Sequence, residues 1–212
     1  MSTSEHDYPR PSLTVDIVVL RFVRRTLKVL LIERKSDPFQ GRFALPGGFV
    51  DEHEAPIDAA KRELLEETHV AGLPLVDIGT FGQAGRDPRG WVVSTAFMGF
   101  VPSNIEAHAG DDAASVEWHP LSNLPPMAFD HADILLTAQE RLKELSVTST
   151  LALTLLGDSF RTAEARQLYS QIWNVPIEPR RFKAWLRRRQ AVERVGPGRF
   201  QAQSELSLDC LK

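Results

Sequence analysis

The stretch from 47 to 70, GGFVDEHEAPIDAAKRELLEETHV, constrains this chain more than any other. A glycine pair leads into an acidic run (Asp51, Glu52, Glu54), then Pro56, then the core Arg62-Glu63-Leu64-Leu65-Glu66-Glu67. Proline suits the first turn of a helix, where its missing N–H costs nothing. Acids ahead of it suit the positive end of the helix dipole. A helix advances roughly 100° per residue, which gathers Glu63, Glu66 and Glu67 on one face. Ile57, Ala60 and Leu64 fall on a neighbouring face fit for a core. Like charges on one face repel, and Lys61 and Arg62 balance them only in part. Converging carboxylates form a hard oxygen site for Mg²⁺ or Mn²⁺, and such an ion binds phosphate oxygens and activates water. Taken alone, a Glu-rich helix also reads as a solvated acidic face.

These residues resemble the Nudix box in register: glycine, five residues, glutamate, seven residues, then Arg-Glu-apolar-any-Glu-Glu-any-Gly-apolar. Gly48, Glu54, Arg62, Glu63, Leu64, Glu66, Glu67 and Val70 occupy their positions. His69 stands where the family has glycine. That position takes a left-handed backbone, which histidine adopts at a cost. The resemblance implies metal binding by Glu63 and Glu67, with Glu66 holding a second metal or helping to activate water. It implies that Arg62 orients these carboxylates by ion pairing. Catalytic roles are therefore expected of Glu66 and Arg62, with Mg²⁺ or Mn²⁺ as cofactor if the site hydrolyses its ligand.

At 212 residues the chain allows one large domain, or one medium and one small. Hydrophobic residues make up 42% and charged residues 25%, as in a soluble globular protein. No apolar run approaches the ~20 residues needed to cross a bilayer, and the polar start MSTSEHDYPRPS lacks a signal core, so a cytoplasmic location is expected. Cys210 is the only cysteine, which excludes an internal disulfide and a cysteine metal cluster, and it reads as incidental. Charge is uneven along the chain. Residues 1–150 carry a balance of −8 and residues 151–212 a balance of +5. Opposite signs suggest two modules with different partners, the basic one suited to a polyanion.

Along the chain, 1–11 reads as a loose lead-in. Strands are expected at 14–22, 28–34, 75–83, 91–100 and, on a sheet edge, 115–121. The loop 36–48 ends Leu-Pro-Gly-Gly, whose Gly47 and Gly48 let backbone approach a ligand closely. Nudix proteins carry a similar loop, often with an aromatic near the position of Phe43, so Phe43, Gly47 and Gly48 are expected to bind ligand. The turn GRDPRG, 85–90, resembles one common among ADP-ribose-type Nudix proteins. Arg86 and Arg89 would grip a diphosphate there through forked guanidinium contacts. The alternative is a charged β-turn held by an Asp–Arg contact. Helical spacing at Ile134, Leu135, Ala138, Leu142 and Leu145 marks a second main helix over 129–145. His119 and His131 read as structural or surface residues and not as ligands. Together these features predict an α/β/α sandwich with a mixed sheet over 1–147.

The basic segment, 148–212, shows helical spacing over 162–173 with Thr162 as N-cap. After a turn, Pro179 opens RRFKAWLRRRQAV, with an apolar stripe of Phe182, Trp185 and Leu186. Arg180, Arg181, Lys183, Arg187 and Arg188 cover its remainder. Gly196-Pro197-Gly198 then marks a hairpin. Helix, turn, basic helix and wing outline a winged helix-turn-helix, whose second helix enters the DNA major groove. These five basic residues are the expected DNA contacts. A solvated amphipathic helix in a docking domain is the alternative.

A Nudix domain followed by a winged helix is similar to the Nudix-related transcriptional regulators of bacterial NAD metabolism. That resemblance implies a homodimer that binds double-stranded operator DNA and senses ADP-ribose or a related nucleotide, with no membrane partner. The intact carboxylates Glu63, Glu66 and Glu67 favour a second reading, a Mg²⁺-dependent ADP-ribose or nucleoside-diphosphate pyrophosphatase. The two functions are compatible. A third reading is an inert nucleotide-binding scaffold with a docking tail.

Overall fold

A computed structural model describes residues 9–101, 107–109, 113–188 and 192–202. Cys210, most of the lead-in and residues 189–191, over which the second tail helix is expected to continue, lie outside the described residues.

β-Branched runs become the strands Ser12–Val23 (β1), Thr26–Arg34 (β2), Leu75–Phe81 (β4), Val92–Val101 (β5) and Ala113–Pro120 (β6), with a two-residue strand Phe43–Ala44 (β3) between β2 and the box. The sheet order is β3-β2-β1-β5-β4, and β6 pairs with β2. β1 and β5 run parallel, and the other pairs are antiparallel. The sheet is thus mixed, as expected. Alternation on β1 sorts the core into two layers. Val15, Ile17 and Val19 pack with Ala59, Ala60 and Leu64 of the helix Pro56–Thr68 (α1). Val18 and Leu20 pack with Ile134, Leu135, Ala138 and Leu142 of the helix His131–Thr148 (α2).

β1 and β2 pair only near their turn, from Leu20–Val29 to Val23–Thr26. Beyond that point they part, and the glycine loop fills the gap beside β1. Ile17 N–H donates to Pro46 O at 2.8 Å, Val15 N–H to Gly48 O at 2.9 Å, and Val50 N–H to Leu13 O at 3.0 Å. The loop ahead of α1 is therefore held like a strand, and this places the candidate site.

In the tail, a 3₁₀ segment Leu151–Leu156 precedes the strand Phe160–Arg161 (β7), the helices Thr162–Ile172 (α3) and Pro179–Arg188 (α4), and the strands Val192–Gly196 (β8) and Arg199–Ala202 (β9). β9 lies between β7 and β8. Helix, turn, basic helix and hairpin are all present. One detail differs from expectation: Thr162 is the first helical residue, and Arg161 is the N-cap. Arg161 N–H donates to Glu164 at 2.7 Å. The shift arises because Phe160 and Arg161 are held in the sheet by β9, so the chain passes from strand to helix without a free capping residue. The core under α2 runs on without a break through Leu153, Leu155, Phe160, Leu168, Tyr169, Phe182 and Leu186. Tyr169 Oη donates to Ser146 O at 2.9 Å. The Gln171 carboxamide bonds both Arg25 O and Leu27 N–H in the β1–β2 turn.

Candidate functional site

Pro56 sits at the start of α1 as its sequence predicts, and His69 ends the helix in the left-handed region at φ 58°. Histidine there forgoes the ease of glycine, and its contacts offset part of that cost. Its N–H donates to Leu65 O at 2.9 Å, and Nδ1 lies 3.2 Å from His108 O. The missing box glycine therefore leaves the helix end in place.

Arg62 ties the box together. Nε and Nη2 donate to the two oxygens of Glu54 at 2.9 and 2.8 Å, and Nη2 also reaches Phe49 O at 3.0 Å. Nη1 donates to Glu63 at 2.7 Å and to Glu66 at 3.4 Å. The bonds from Arg62 hold the Glu54 carboxyl down to about 2, and the same partners raise Arg62. Burial pushes Glu63 above its ordinary value against the pull of Arg62. Glu67 accepts the Gly47 N–H at 2.8 Å. A Cβ on Gly47 would lie 2.0 Å from Val15 O, and one on Gly48 would lie 2.3 Å from Glu63 Oε1. Gly47 is thus required by close approach to backbone, whereas a Cβ on Gly48 would displace the box carboxylate of Glu63.

These residues open onto a cavity of about 320 Å³. Gly47, Gly48, Arg62, Glu63, Glu67, Arg86 and Arg89 all line it. Glu66 does not, and its side chain is largely exposed. No group of three potential ligands is gathered for a metal among the described residues. Glu63 and Glu67 nonetheless share a wall and offer hard oxygen donors, which fit Mg²⁺ or Mn²⁺.

Two expectations for ligand contacts change. Phe43 does not line the cavity; its strand neighbour Ala44 does. Successive strand residues point to opposite faces, and Phe43 packs edge-on against His119 at 4.6 Å. The aromatic walls are Phe49 and Phe129 instead. Arg86 reaches the cavity, but its guanidinium is committed. Nε and Nη2 grip Asp130 at 2.8 and 2.7 Å, and Nη2 also donates to Asp16 at 3.1 Å. Asp16 is buried and accepts from Ser94 Oγ at 2.6 Å. His131 Nδ1 accepts the Leu45 N–H at 2.9 Å, which leaves Nε2–H to face Asp16 Oδ1 at 3.2 Å. Burial raises Asp16, but His131, Ser94 and Arg86 outweigh it and hold the carboxyl at about 2. His131 is therefore structural, as its sequence context suggested.

In the GRDPRG turn, Asp87 holds Arg89 by accepting from its backbone N–H at 2.8 Å and from its guanidinium at 2.6 Å. The Asp–Arg contact of the alternative reading is thus present, and Arg89 still faces the cavity. Arg34, missed in the sequence, joins it there. The two guanidiniums lie 4.9 Å (Arg34) and 5.5 Å (Arg89) from the Phe129 ring. Burial and the charge of Arg89 both lower Arg34. Two cations that repel across a shared wall favour an anion between them.

Arg180, Arg181, Lys183, Arg187 and Arg188 are all exposed on α4, while Phe182 and Leu186 are buried. Trp185 packs with Tyr169 and Phe182 at centroid distances of 5.2 and 5.4 Å.

Comparison with known proteins brings the two parts together. An ADP-ribose pyrophosphatase of Methanocaldococcus jannaschii is 42% identical over 128 residues, covering 60% of this chain and 73% of that protein. The ADPR-responsive transcriptional repressor NtrR of Acinetobacter baylyi is 32% identical over 181 residues, covering 84% of this chain and 72% of that one. The crystal structure of Shewanella oneidensis NrtR complexed with a 27mer DNA aligns with a TM-score of 0.77 at 26% identity, covering 92% of this chain and 95% of that one. Among the described residues, no helix is long and apolar enough to cross a membrane. The NUDIX domain profile matches residues 10–138, a span that takes in the cavity and the whole box, and the chain belongs to that family.

Proposed function

We propose that this protein is a DNA-binding transcriptional regulator whose Nudix domain, 1–147, binds ADP-ribose or a related nucleotide diphosphate, and whose winged helix, 148–212, binds operator DNA. The observation that carries the reading is one chain holding both a cavity walled by arginines and carboxylates and an exposed basic helix α4 in a winged-helix arrangement. Similarity to an ADPR-responsive repressor and to a DNA-bound NrtR supports it. Arg34 and Arg89 face the diphosphate, Phe49 and Phe129 pack on the nucleoside, and Arg86 positions the turn through Asp16 and Asp130. Gly47 and Gly48 let the ligand approach the backbone. Arg180, Arg181, Lys183, Arg187 and Arg188 contact DNA, in a cytoplasmic homodimer that acts as a repressor of NAD biosynthesis or salvage genes. A mobility shift with DNA from upstream of such genes tests this: ADP-ribose should release the protein, and no binding at low salt would refute the reading.

The complete box favours a second activity, hydrolysis of the same ligand, and the resemblance to an ADP-ribose pyrophosphatase supports it. Glu63 and Glu67 would hold Mg²⁺ or Mn²⁺, with Glu66 as a further ligand or as the group that activates water. The ion supplies charge neutralisation at the diphosphate. Arg62 keeps the carboxylates oriented, and the Gly47 N–H fixes Glu67. Incubation with ADP-ribose and Mg²⁺ should yield AMP and ribose 5-phosphate; their absence removes the activity for this ligand.

A further inference from the structure

A second concave surface lies where the ends of α2 and α3 meet the first half of α4, and it shares no lining residue with the Nudix cavity. Its volume is about 310 Å³, a size suited to a single small molecule. Four aromatic rings line it: Tyr169, Trp173, Phe182 and Trp185. The Tyr169 ring lies 5.4 Å from Phe182 and 5.2 Å from Trp185, centroid to centroid. Two of the four have their polar tips bound elsewhere. Tyr169 Oη donates to Ser146 O at 2.9 Å, and Trp173 Nε1 donates to Ser146 Oγ at 3.1 Å. The rings therefore offer the groove apolar surface. Water reaches much of its rim, where Trp173 is 40% exposed, Val147 41% and Val175 51%. Apolar side chains left open together on one concave face mark a binding site.

Arg181 is the charged residue of this wall, and among the described residues no acid stands in it. Arg181 lies one turn before Trp185 and on the same flank of α4. Lys183 and Arg187 fall on the other flank. Glu178, at the start of α4, uses its two oxygens on the N–H groups of Arg180 and Arg181, at 2.9 and 2.7 Å. A carboxylate in the groove would give the Arg181 guanidinium a forked partner.

We propose that this groove binds a free aromatic carboxylic acid, with its ring among the four aromatic side chains and its carboxylate on Arg181. A neutral apolar ligand makes no use of Arg181, and an inorganic anion makes none of the rings. A small flat acid uses both. Arg181 is also among the proposed DNA contacts, so a bound acid and a DNA phosphate would compete for it. The site itself does not depend on DNA binding, and its test uses no DNA.

The test is calorimetric titration of the full chain with 2-naphthoate, its neutral counterpart 2-naphthylmethanol, and acetate. Naphthoate should bind saturably at one site, about tenfold more tightly than the alcohol, the gain expected of one charge-assisted contact. Acetate should give no saturable binding. Arg181→Gln should lower naphthoate to the affinity of the alcohol and leave the alcohol unchanged. Val147→Trp, at the exposed rim, fills the groove and should abolish binding of both. Saturating ADP-ribose should leave naphthoate binding in place. Displacement by ADP-ribose, or unchanged binding in Val147→Trp, puts the acid in the Nudix cavity and overturns the site. Equal affinities for acid and alcohol, or no binding of either, overturn it as well. A Val147→Trp chain that sediments at a lower mass than wild type makes the groove an interface between copies, which also overturns the proposal.

Discussion

Asp16 shows how a single buried carboxylate can organise a binding wall. It faces His131, Ser94 and Arg86 at once, and through them it links β1, β5, α2 and the GRDPRG turn. Breaking a buried pair costs more than forming it gains, because a charge is left without a partner. The carboxyl is depressed from 3.8 to about 2. Its stabilisation is therefore fully present above the unfolded value and is lost as pH falls from 3.8 through about 2. Asp16→Asn should lower the unfolding midpoint at neutral pH and flatten its fall in that acid window, as measured by urea unfolding at several pH values. Gly47 constrains backbone instead of charge. Gly47→Ala places a methyl against Val15 O. It should destabilise the protein by about 1–3 kcal/mol, the usual cost of overpacking a tight site, in the same unfolding assay. It should also weaken ADP-ribose binding, since Gly47 N–H orients Glu67.

At the scale of elements, short-range signals were readable and long-range ones were not. The start of α1 at Pro56 and the β-branched run of β1 depend on neighbours in sequence, and both elements appear where the residues predict. Phe43 was misplaced because its face depends on how β3 registers with β2, which no local pattern encodes. No local pattern marks Asp16 or Arg34 for a related reason: they reach the cavity from distant positions in the chain, and singly each looks like an ordinary strand residue. β7 is two residues long, too short for any periodicity. The link between α3 and the β1–β2 turn was equally hidden. Gln171 bonds Arg25 O and Leu27 N–H there, at the far end of a strand, β2, whose Ile32 and Arg34 line the cavity. Gln171→Ala leaves a partly buried N–H without its partner and should cost about 1 kcal/mol in stability. In a DNA-binding titration it should also reduce the factor by which ADP-ribose changes affinity, with the affinity for ADP-ribose alone preserved.

At the scale of the whole molecule, an acidic half that holds the cavity and a basic half share one apolar core. A cavity and the proposed DNA surface joined in this way can influence each other only if ligand and DNA favour different arrangements of the chain. That coupling is a free energy, and it is reciprocal: whatever factor ADP-ribose imposes on DNA affinity, DNA must impose on ADP-ribose affinity. Couplings of this kind commonly amount to about 5- to 150-fold. The direct measurement is calorimetric titration of ADP-ribose into the free protein and into the protein saturated with operator duplex. Regulation by the Nudix cavity predicts a Kd for ADP-ribose that is weaker on DNA, by the same factor that ADP-ribose weakens DNA binding. An identical Kd in both titrations would contradict it, and would leave a nucleotide-binding domain and a DNA-binding domain that do not communicate.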